Sequence, residues 1–295
     1  MSVVLGPRDL HVLTDIGEHG CLDTIHIHQR HFASVTLRRC QQRLQDFQRA
    51  GLICSTKLHV TFSSDAQSGV ATATTKRIPT LHALTDKGGD AFADTTGIRP
   101  LRILRSEPQP ATFLHRWQCV QTRLAFDAST NAAGLTPALW LLESDVDPKA
   151  KKNLPPNQRS ILHHTFSDGI SSIACQPDMV CLLIIPPDTS LVAFFEQDRS
   201  TMGSKQIAAK ARRHQSLVES RAYTRYWPAL KKPVVRVFWI APSDERIQTI
   251  VQASEQQPVQ RSYRFLTERR RDAGNRILDP VWAFPDGRMA PIYSP

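Results

Sequence analysis

Three carboxylates, those of Asp178, Glu196 and Asp198, stand at the ends of a predicted hairpin in the second half of the sequence. If the hairpin folds about Asp188, Asp178 faces Asp198 across the ladder, and Glu196 shares a strand face with Asp198. Carboxylates that converge repel one another unless a cation neutralises their charge. The pattern therefore predicts a Mg²⁺ site, at which the metal would stabilise charge during hydrolysis of a phosphodiester. The hairpin itself is indicated by two apolar segments around a proline-rich turn, residues 179–185 and 191–195.

The same residues resemble a known nuclease pattern. Pro177-Asp178 followed by Glu196-x-Asp198 is similar to the PD-(D/E)xK motif. Asp198 occupies the position of the lysine of that motif, so the electrostatic role of the lysine has to come from elsewhere. In the alternative interpretation, Asp178 and Asp198 are strand-end residues, one of which pairs with Arg199, and there is no metal. The lysine candidates on the following helix are Lys205 and Lys210, and the candidates for a further ligand are Glu143 and His115.

The most basic part of the sequence follows directly. Residues 199–232 contain nine lysine and arginine residues and one acid, Glu219. Apolar residues recur at helical spacing over residues 203–223, which predicts a helix that buries one side and turns its cationic side chains outward. We expect Arg212 and Arg213 to hold the phosphate backbone of DNA, a contact that positions the partner without specifying its sequence. In the alternative interpretation, the cationic side chains of this helix face solvent and bind no partner.

The N-terminal part of the chain is predicted to form three short helices. Pro7 can open the first and Gly20 can close it, and Asp23 or Thr24 caps the second. Ser34 is the expected cap of the third helix, whose apolar stripe leaves an arginine- and glutamine-rich side. This order is typical of a helix-turn-helix unit, in which the third helix reaches base edges and phosphates. The residues expected to contact DNA are Arg38, Arg39, Gln42 and Arg43.

Residues with a preference for strands follow the third helix. Residues 58–62 and 77–84 are predicted strands on either side of a small polar stretch, residues 63–75. Thr85 is expected to cap a final helix. Three helices followed by a hairpin with a polar tip make a winged helix. In the alternatives, the arginines of the third helix only solvate an exposed face, or the winged helix mediates protein contacts.

Length, charge and cysteine content narrow the class of protein. A chain of 295 residues predicts two compact units. The net charge of +10 favours a polyanionic partner, and nucleic acid ranks above a membrane surface because no apolar run approaches the ~18 residues of a membrane span. The N-terminus lacks the pattern of a signal peptide, and the six cysteines contain no CxxC pair. Buried thiols in a cytoplasmic protein are therefore expected.

Six short motifs follow one another in a consistent order. The N-terminal part carries "PRDLHVLTDIGEHGCLDTIHI", "RRCQQRLQDFQRAGLI" and "LHALTDKGGDAF", and the second part carries "HRWQCVQTRLAF", "PDMVCLLI" and "FFEQDRST". Together they resemble the replication-relaxation family of plasmids and integrative elements, over most of residues 7–250. The resemblance implies a DNA-associated role in plasmid replication and in changing the topological state of plasmid DNA. The second half of that family is similar in layout to restriction-endonuclease-like nucleases.

The predicted fold class is α+β, with an N-terminal winged helix-turn-helix and a C-terminal α/β restriction-endonuclease-like domain. The expected function is DNA binding in plasmid or mobile-element replication or DNA relaxation, with metal-dependent nicking as its enzymatic form. The alternatives are a non-catalytic docking protein on a degenerate nuclease fold, and a transcription regulator, for which the sequence offers neither effector pocket nor dimer helix. The expected partners are double-stranded DNA and other replication or conjugation proteins. The predicted limits are 1–96 for the winged helix, 97–112 for a linker, 113–255 for the endonuclease-like domain and 256–295 for a C-terminal extension.

Overall fold

The chain is a mixed α+β protein that divides into two compact units, Met1–Val120 and Gln121–Pro295. The mixed content of helices and strands agrees with the predicted fold class. The computed structural model describes residues 3–57, 59–63, 73–97, 102–104, 110–135, 138–147, 149–167, 172–185, 189–272 and 278–292.

The first unit consists of short helices around a small antiparallel sheet. One long helix, α5, begins in this unit and ends in the second. The elements are, in chain order, α1 (Pro7–His19), β1 (Leu22–Asp23), α2 (Thr24–His31), α3 (Leu37–Arg49), β2 (Ile53–Thr56), β3 (His59–Ser63), β4 (Ala73–Arg77), β5 (Leu81–Leu84), α4 (Asp86–Thr96) and α5 (Pro110–Ala132).

A proline and several polar capping residues mark where these helices begin. Pro7 is the first residue of α1, and the side chains of Asp23 and Thr85 accept the capping hydrogen bonds of α2 and α4. The predicted cap of α3 was wrong. Thr36, two residues after Ser34, accepts the hydrogen bond from the backbone of Arg39. The chain therefore needs two more residues than expected to turn from α2 into α3.

The strands of the first unit form two separate sheets. One sheet has the order β1-β5-β2, and β3 pairs with β4 in an antiparallel hairpin. The single strand predicted over residues 77–84 is in fact two strands, since β4 ends at Arg77 and β5 begins at Leu81. Pro79 lies in the gap, where a ladder cannot use the missing N–H of proline. Most of the predicted polar tip, residues 64–72, lies outside the described residues.

The second unit is built on one large sheet with helices between its parallel strands. Its elements after α5 are β6 (Leu139–Leu142), β7 (His164–Ser167), β8 (Ser172–Cys175), β9 (Met179–Ile185), β10 (Thr189–Gln197), α6 (Ser204–Glu219), β11 (Val234–Ala241), α7 (Asp244–Ser254), β12 (Tyr263–Thr267), α8 (Glu268–Asp272), β13 (Trp282–Ala283) and β14 (Met289–Ala290).

The strand order of this sheet is β14-β13-β12-β11-β10-β9-β6. Strands β10, β11 and β12 are parallel and are connected through α6 and α7, whereas the remaining pairs are antiparallel. Strands β12 to β14 lie in the segment predicted as a C-terminal extension, so that segment completes the sheet. The long segment between β6 and β9 contains β7 and β8, which pair with each other in an antiparallel hairpin.

The register of the hairpin β9–β10 differs from the prediction. Thr189 pairs with Ile185 and Phe195 pairs with Met179. The pairing of the two strands is therefore centred one residue earlier than predicted, and continuing this register places Glu196, and not Asp198, opposite Asp178. A shift of this size moves each pairing by two positions, so the side chains keep their faces but change their neighbours.

The sheet of the second unit buries a different set of side chains on each face. On one face, Val192, Phe194 and Trp239 pack with the apolar sides of α6 and α7. On the other face, aromatic rings contact one another, mostly edge to face, in a continuous series that includes Phe126, Trp140, Phe195, Phe238 and Trp282. Alternation along each strand thus places Glu196 on the α6 side. Within the described ranges, no helix is both long and apolar enough to cross a bilayer.

Candidate functional site

The exposed side of α3 is the first candidate surface. Cys40, Leu44 and Phe47 form its buried stripe. Arg38, Arg39 and Gln42, three of the four residues predicted to contact DNA, are exposed. Their long side chains are therefore available to a ligand at the surface of the first unit.

Arg43, the fourth predicted contact, is bound within the protein. Its guanidinium donates from Nε to Asp9 Oδ1 at 3.0 Å and from Nη2 to Asp9 Oδ2 at 2.5 Å, which ties α3 to α1. Burial alone would raise the pKa of Asp9, but hydrogen bonds from Arg43 and from the backbone of Gly6 outweigh it and lower the pKa. Arg43 therefore holds the two helices together, and a role in DNA binding stays a prediction.

A groove opens between the start of α1 and the exposed side of α3. Its volume is about 490 Å³. Its lining mixes cationic and acidic side chains with one aromatic ring, that of Phe32, over which Arg8 lies at 5.2 Å. The lining residues are Gly6, Pro7, Arg8, Asp9, Phe32, Arg39, Gln42, Arg43 and Asp46.

Asp15 fixes α2 against α1. Its carboxylate accepts two hydrogen bonds from Arg30, at 2.6 and 3.0 Å, and contacts His31 Nε2 at 2.8 Å and His19 Nδ1 at 3.1 Å. Although burial opposes it, the hydrogen bonds from His19, His31 and Arg30 hold the pKa of Asp15 far below its usual range. The helix before α3 is thus anchored by charge as well as by packing.

A buried network of charged and polar side chains surrounds Glu196 in the second unit. Glu196 is 1% exposed. Its Oε2 lies 2.5 Å from Lys210 Nζ, and its Oε1 lies 2.6 Å from His214 Nε2. His214 Nδ1 lies 3.0 Å from Tyr263 Oη. The tautomer with its proton on Nε2 satisfies both contacts of His214, because it donates to Glu196 and accepts from Tyr263.

Lys210 is the residue that comes closest to the missing lysine of the nuclease pattern. Burial alone would lower the pKa of Lys210, but the charges of Glu196 and Asp178 outweigh it and raise the pKa. Its ammonium also lies 5.5 Å from the centre of the Trp239 ring. The other lysine candidate, Lys205, is exposed at the start of α6.

Asp178 directly precedes β9 and lies next to this network. It is 9% exposed, and its Oδ2 accepts a hydrogen bond from the backbone of Gln197 at 2.7 Å. The backbone of Glu143 donates to the carbonyl of Asp178, so Glu143, Asp178 and Glu196 stand side by side at the ends of three neighbouring strands. The predicted group of three acids was Asp178, Glu196 and Asp198. In the structure the third acid beside Asp178 and Glu196 is Glu143.

Asp198 belongs to a separate ion pair. It accepts from Arg246 Nε at 2.6 Å and from Arg246 Nη2 at 2.9 Å, and its own side chain has no exposed surface. Arg246 also donates to the carbonyl of Met202, so this pair connects α7 to the segment between β10 and α6. Such a bidentate pair fixes geometry, which is the strand-end role weighed as an alternative, although the partner is Arg246 and not Arg199.

The donor set does not fit a magnesium ion as these side chains stand. A magnesium ion keeps several of its bound waters and needs carboxylate oxygens that are free to turn towards it. Both oxygens of Glu196 are occupied by Lys210 and His214, and both oxygens of Asp198 face Arg246. The carboxylates of Asp178, Glu196 and Asp198 do not gather within 4.8 Å of one another. The metal role of these residues stays a prediction.

Three members of these networks were missed from the sequence, namely His214, Tyr263 and Arg246. The signal for His214 was present, because it lies four residues after Lys210 and on the same side of α6 as Ile207 and Ala211. Tyr263 and Arg246 are distant in sequence from Glu196 and Asp198, so spacing could not reveal them. On the outer side of α6, Arg212 and Arg213 are exposed as predicted.

Comparison with known protein families gives the class of protein to which this chain belongs. The sequence model described as "Replication-relaxation" matches residues 13–229. Because the match covers well over half of the 295 residues, the chain belongs to the replication-relaxation family. This confirms the resemblance expected from the motifs and gives the chain a role related to the replication of plasmids or other mobile elements.

Other comparisons add little to this assignment. A comparison with curated proteins gave no significant match. Among solved structures, the chain is similar to the restriction endonuclease FokI, with 9% sequence identity and a TM-score of 0.23, over 88% of this chain and 68% of FokI. A TM-score this low does not establish a shared fold, so the function proposed below depends on this chain's own residues.

Proposed function

We propose that this protein binds double-stranded DNA in the replication of plasmid or other mobile DNA, and that it does so without cutting. The observation that carries the proposal is the exposed row on α3, formed by Arg38, Arg39 and Gln42. These side chains match the two kinds of group that DNA offers, phosphate oxygens and the acceptor-rich edges of bases. The proposal depends on the polar or charged groups of these side chains, on their length and on their exposure.

The order of elements in the first unit supports a winged helix-turn-helix. Helices α1, α2 and α3 precede the hairpin β3–β4, and the strand β5 leads into α4. In such a unit the third helix enters the major groove while flanking elements contact the backbone. The Asp15 and Asp9 ion pairs would then hold α3 at a fixed angle to the rest of the unit.

The second unit supports the proposal through the outer side of α6. Arg212 and Arg213 are exposed there, and Lys205 is exposed about two turns earlier. The net charge of +10 adds a general attraction to polyanions. We therefore assign sequence-independent phosphate contacts to α6, with replication or conjugation proteins as further partners. The six cysteines form no disulfide, which supports a reducing compartment such as the cytoplasm.

The experiment is a salt titration of binding to a DNA duplex. Replacement of Arg38 and Arg39 by alanine should weaken binding and should flatten the slope of log K against log salt by about 0.9 for each phosphate that is no longer neutralised. Arg49→Ala is the matched control, because Arg49 is an exposed arginine at the other end of α3 that pairs with Asp46. Unchanged affinity and slope in the double variant would remove α3 from the DNA interface.

DNA cleavage is the second candidate function. It is favoured by the register that places Asp178 opposite Glu196, with Lys210 in contact with Glu196, since acid, acid and lysine are the components of the nuclease pattern. Supercoiled plasmid incubated with Mg²⁺ or Mn²⁺ tests it. We expect the plasmid to stay intact while binding is retained. Nicking by the parent protein and not by Asp178→Ala would instead establish a metal-dependent nuclease.

A further inference from the structure

A cluster of arginines lies where strands β11 and β12 begin. Arg236 is the third residue of β11 and Arg264 is the second residue of β12. Both lie on the sheet face opposite α6 and α7, because their neighbours Val237, Tyr263 and Phe265 occupy the α6 face. The arginine side chains and the Glu196 side chain therefore lie on opposite faces of the sheet. The two groups meet at Tyr263, whose Oη contacts His214 and whose carbonyl oxygen accepts from Arg264.

Arg264 is a buried cation without a carboxylate partner among the described residues. It is 5% exposed, and its Nη1 donates to the carbonyl oxygens of Tyr263 at 2.7 Å and Arg261 at 3.3 Å. Its guanidinium also lies 3.7 Å from the centre of the Phe284 ring. The Nε atom is buried and has no hydrogen-bond partner in the described part of the chain. A buried charge that lacks a counter-ion is costly, so this arrangement calls for an anion.

Further positive charge surrounds Arg264. Arg288 also lies over the Phe284 ring, at 5.2 Å from its centre, and Arg236 is half-buried nearby. Burial, together with the charges of Arg236 and Arg288, lowers the pKa of Arg264 to about 10, so the group remains charged at neutral pH. Within the described residues, the carboxylate that pairs with this cluster is that of Asp286, which contacts Arg288 at 2.7 Å.

We infer that Arg236, Arg264 and Arg288 form a binding site for a phosphate group. Guanidinium groups offer planar pairs of donors that match phosphate oxygens. Arg288 is exposed and Arg236 is half-buried, so their guanidinium groups can donate to a ligand, and the buried charge of Arg264 adds to the positive potential. Exposed cations directly before the two strands extend the positive surface, namely Lys231, Lys232 and Arg261. The phosphate belongs either to a nucleic-acid backbone or to a free phosphate compound. The inference stands independently of the α3 interface.

Thermal unfolding of the full chain tests the site. The parent protein is compared in sodium phosphate, in pyrophosphate and in sodium chloride at equal ionic strength, beside Arg236→Gln and Arg288→Gln. We expect phosphate to raise the Tm of the parent and the apparent affinity to fall about tenfold in each variant, as for the loss of one charge-assisted hydrogen bond. Arg270→Gln is the matched control, since Arg270 pairs with Asp244 beyond the far end of β12.

One outcome of this experiment would overturn the site, and the others distinguish a backbone phosphate from a free phosphate compound. An equal rise in Tm for the parent and both arginine variants would overturn the site, because phosphate also stabilises proteins by general exclusion from their surface. If the variants lose the phosphate response and also bind duplex DNA more weakly, the ligand is a backbone phosphate. If they lose the response while duplex binding is unchanged, the ligand is a free phosphate compound. Arg264→Gln, should it fold, is expected to lose the response most completely.

Discussion

Helices α3 and α6 carry similar sequences of cationic and apolar residues, and each helix divides its charges between an exposed side and an acidic partner within the protein. In α3, Arg38 and Arg39 point to the surface, and one arginine, Arg43, is held by Asp9. In α6, Arg212 and Arg213 are exposed, but Lys210 and His214 lie inside against Glu196. The same kind of residue is thus exposed and available to a ligand in one place and bound to an acidic residue of the protein in another.

The difference shows that burial and partner, more than residue type, determine what a charge does. An exposed arginine contributes little to stability, since surface pairs contribute about 0–1 kcal/mol, but it is available to a polyanion. A buried charge with a buried partner is costly to leave alone, so its removal affects folding first. Replacement of residues on the two helices should therefore separate loss of binding from loss of stability.

The largest effect is expected from Glu196. Glu196→Gln leaves Lys210 without its counter-charge and weakens the contact with His214, so we expect the free energy of unfolding to fall by about 3–5 kcal/mol. Denaturant unfolding measures the change. Lys205→Met, on the exposed part of the same helix, is the control and should stay within about 0.5 kcal/mol of the parent.

A double variant sharpens this test. When Lys210→Met is added to Glu196→Gln, both charges are removed together, and the loss should be clearly smaller than the sum of the two single losses. Additive losses would mean that Glu196 and Lys210 act independently, and the comparison between α3 and α6 would then lose its energetic basis.

The sequence predicted the elements that position Glu196 but not its surroundings. The apolar segments of β9 and β10 and the helix α6 were evident from their periodicity. The predicted register was wrong because it was centred on Asp188, whereas the observed pairing of Thr189 with Ile185 is centred one residue earlier. Register in a hairpin depends on turn type and loop length, which the prolines alone did not specify. The error exchanged Asp198 for Glu196 opposite Asp178.

Partners that are distant in the chain could not be predicted from the sequence. Asp198 with Arg246, and Asp9 with Arg43, are joined by packing of elements and not by any spacing rule. Features that depend on neighbouring residues were predicted more accurately. Asp23 and Thr85 cap the helices that their residue types and positions indicated. Sequence therefore indicated which residues carry charge, and the fold decided which charges were left for a ligand.

The comparison of buried and exposed charged groups extends to two buried histidines, which make the stability depend on pH. His82 in the first unit is 4% exposed, and both ring nitrogens contact hydroxyls, those of Thr24 and Ser55, at 2.9 Å. Burial lowers the pKa of His82 to about 4, and burial also lowers that of His164 in the second unit to about 4. The unfolded chain then takes up protons between about pH 6.5 and 4 that the folded chain does not.

The free energy of unfolding should therefore fall as the pH is lowered through this window, by about 3 kcal/mol for each histidine. Denaturant unfolding at several pH values measures the slope. His82→Gln should remove its share of the slope, and a parent protein whose stability is constant from about pH 6.5 to 4 would contradict the assignment of buried neutral histidines.

Within α3, the pair of Arg43 and Asp9 should behave like the buried charges of α6. Asp9→Asn removes a charge-assisted partner of Arg43, and we expect a loss of about 2 kcal/mol in unfolding free energy. Asp46→Asn is the control, because Asp46 is more exposed and lies 3.9 Å from Arg43, so its effect should stay below about 0.5 kcal/mol. Equal effects of the two variants would show that Arg43 is a surface residue like Arg38.

The smallest effect concerns the start of α3, which orients the exposed arginines. Thr36→Ala removes the side-chain oxygen that accepts from the backbone of Arg39, and a loss of about 1 kcal/mol is expected. Ser34→Ala, at the cap position predicted from sequence, should have no measurable effect, because Ser34 lies outside the helix. If Ser34→Ala were the more damaging change, α3 in solution would begin two residues earlier, and Arg38 and Arg39 would lie in its second turn instead of its first.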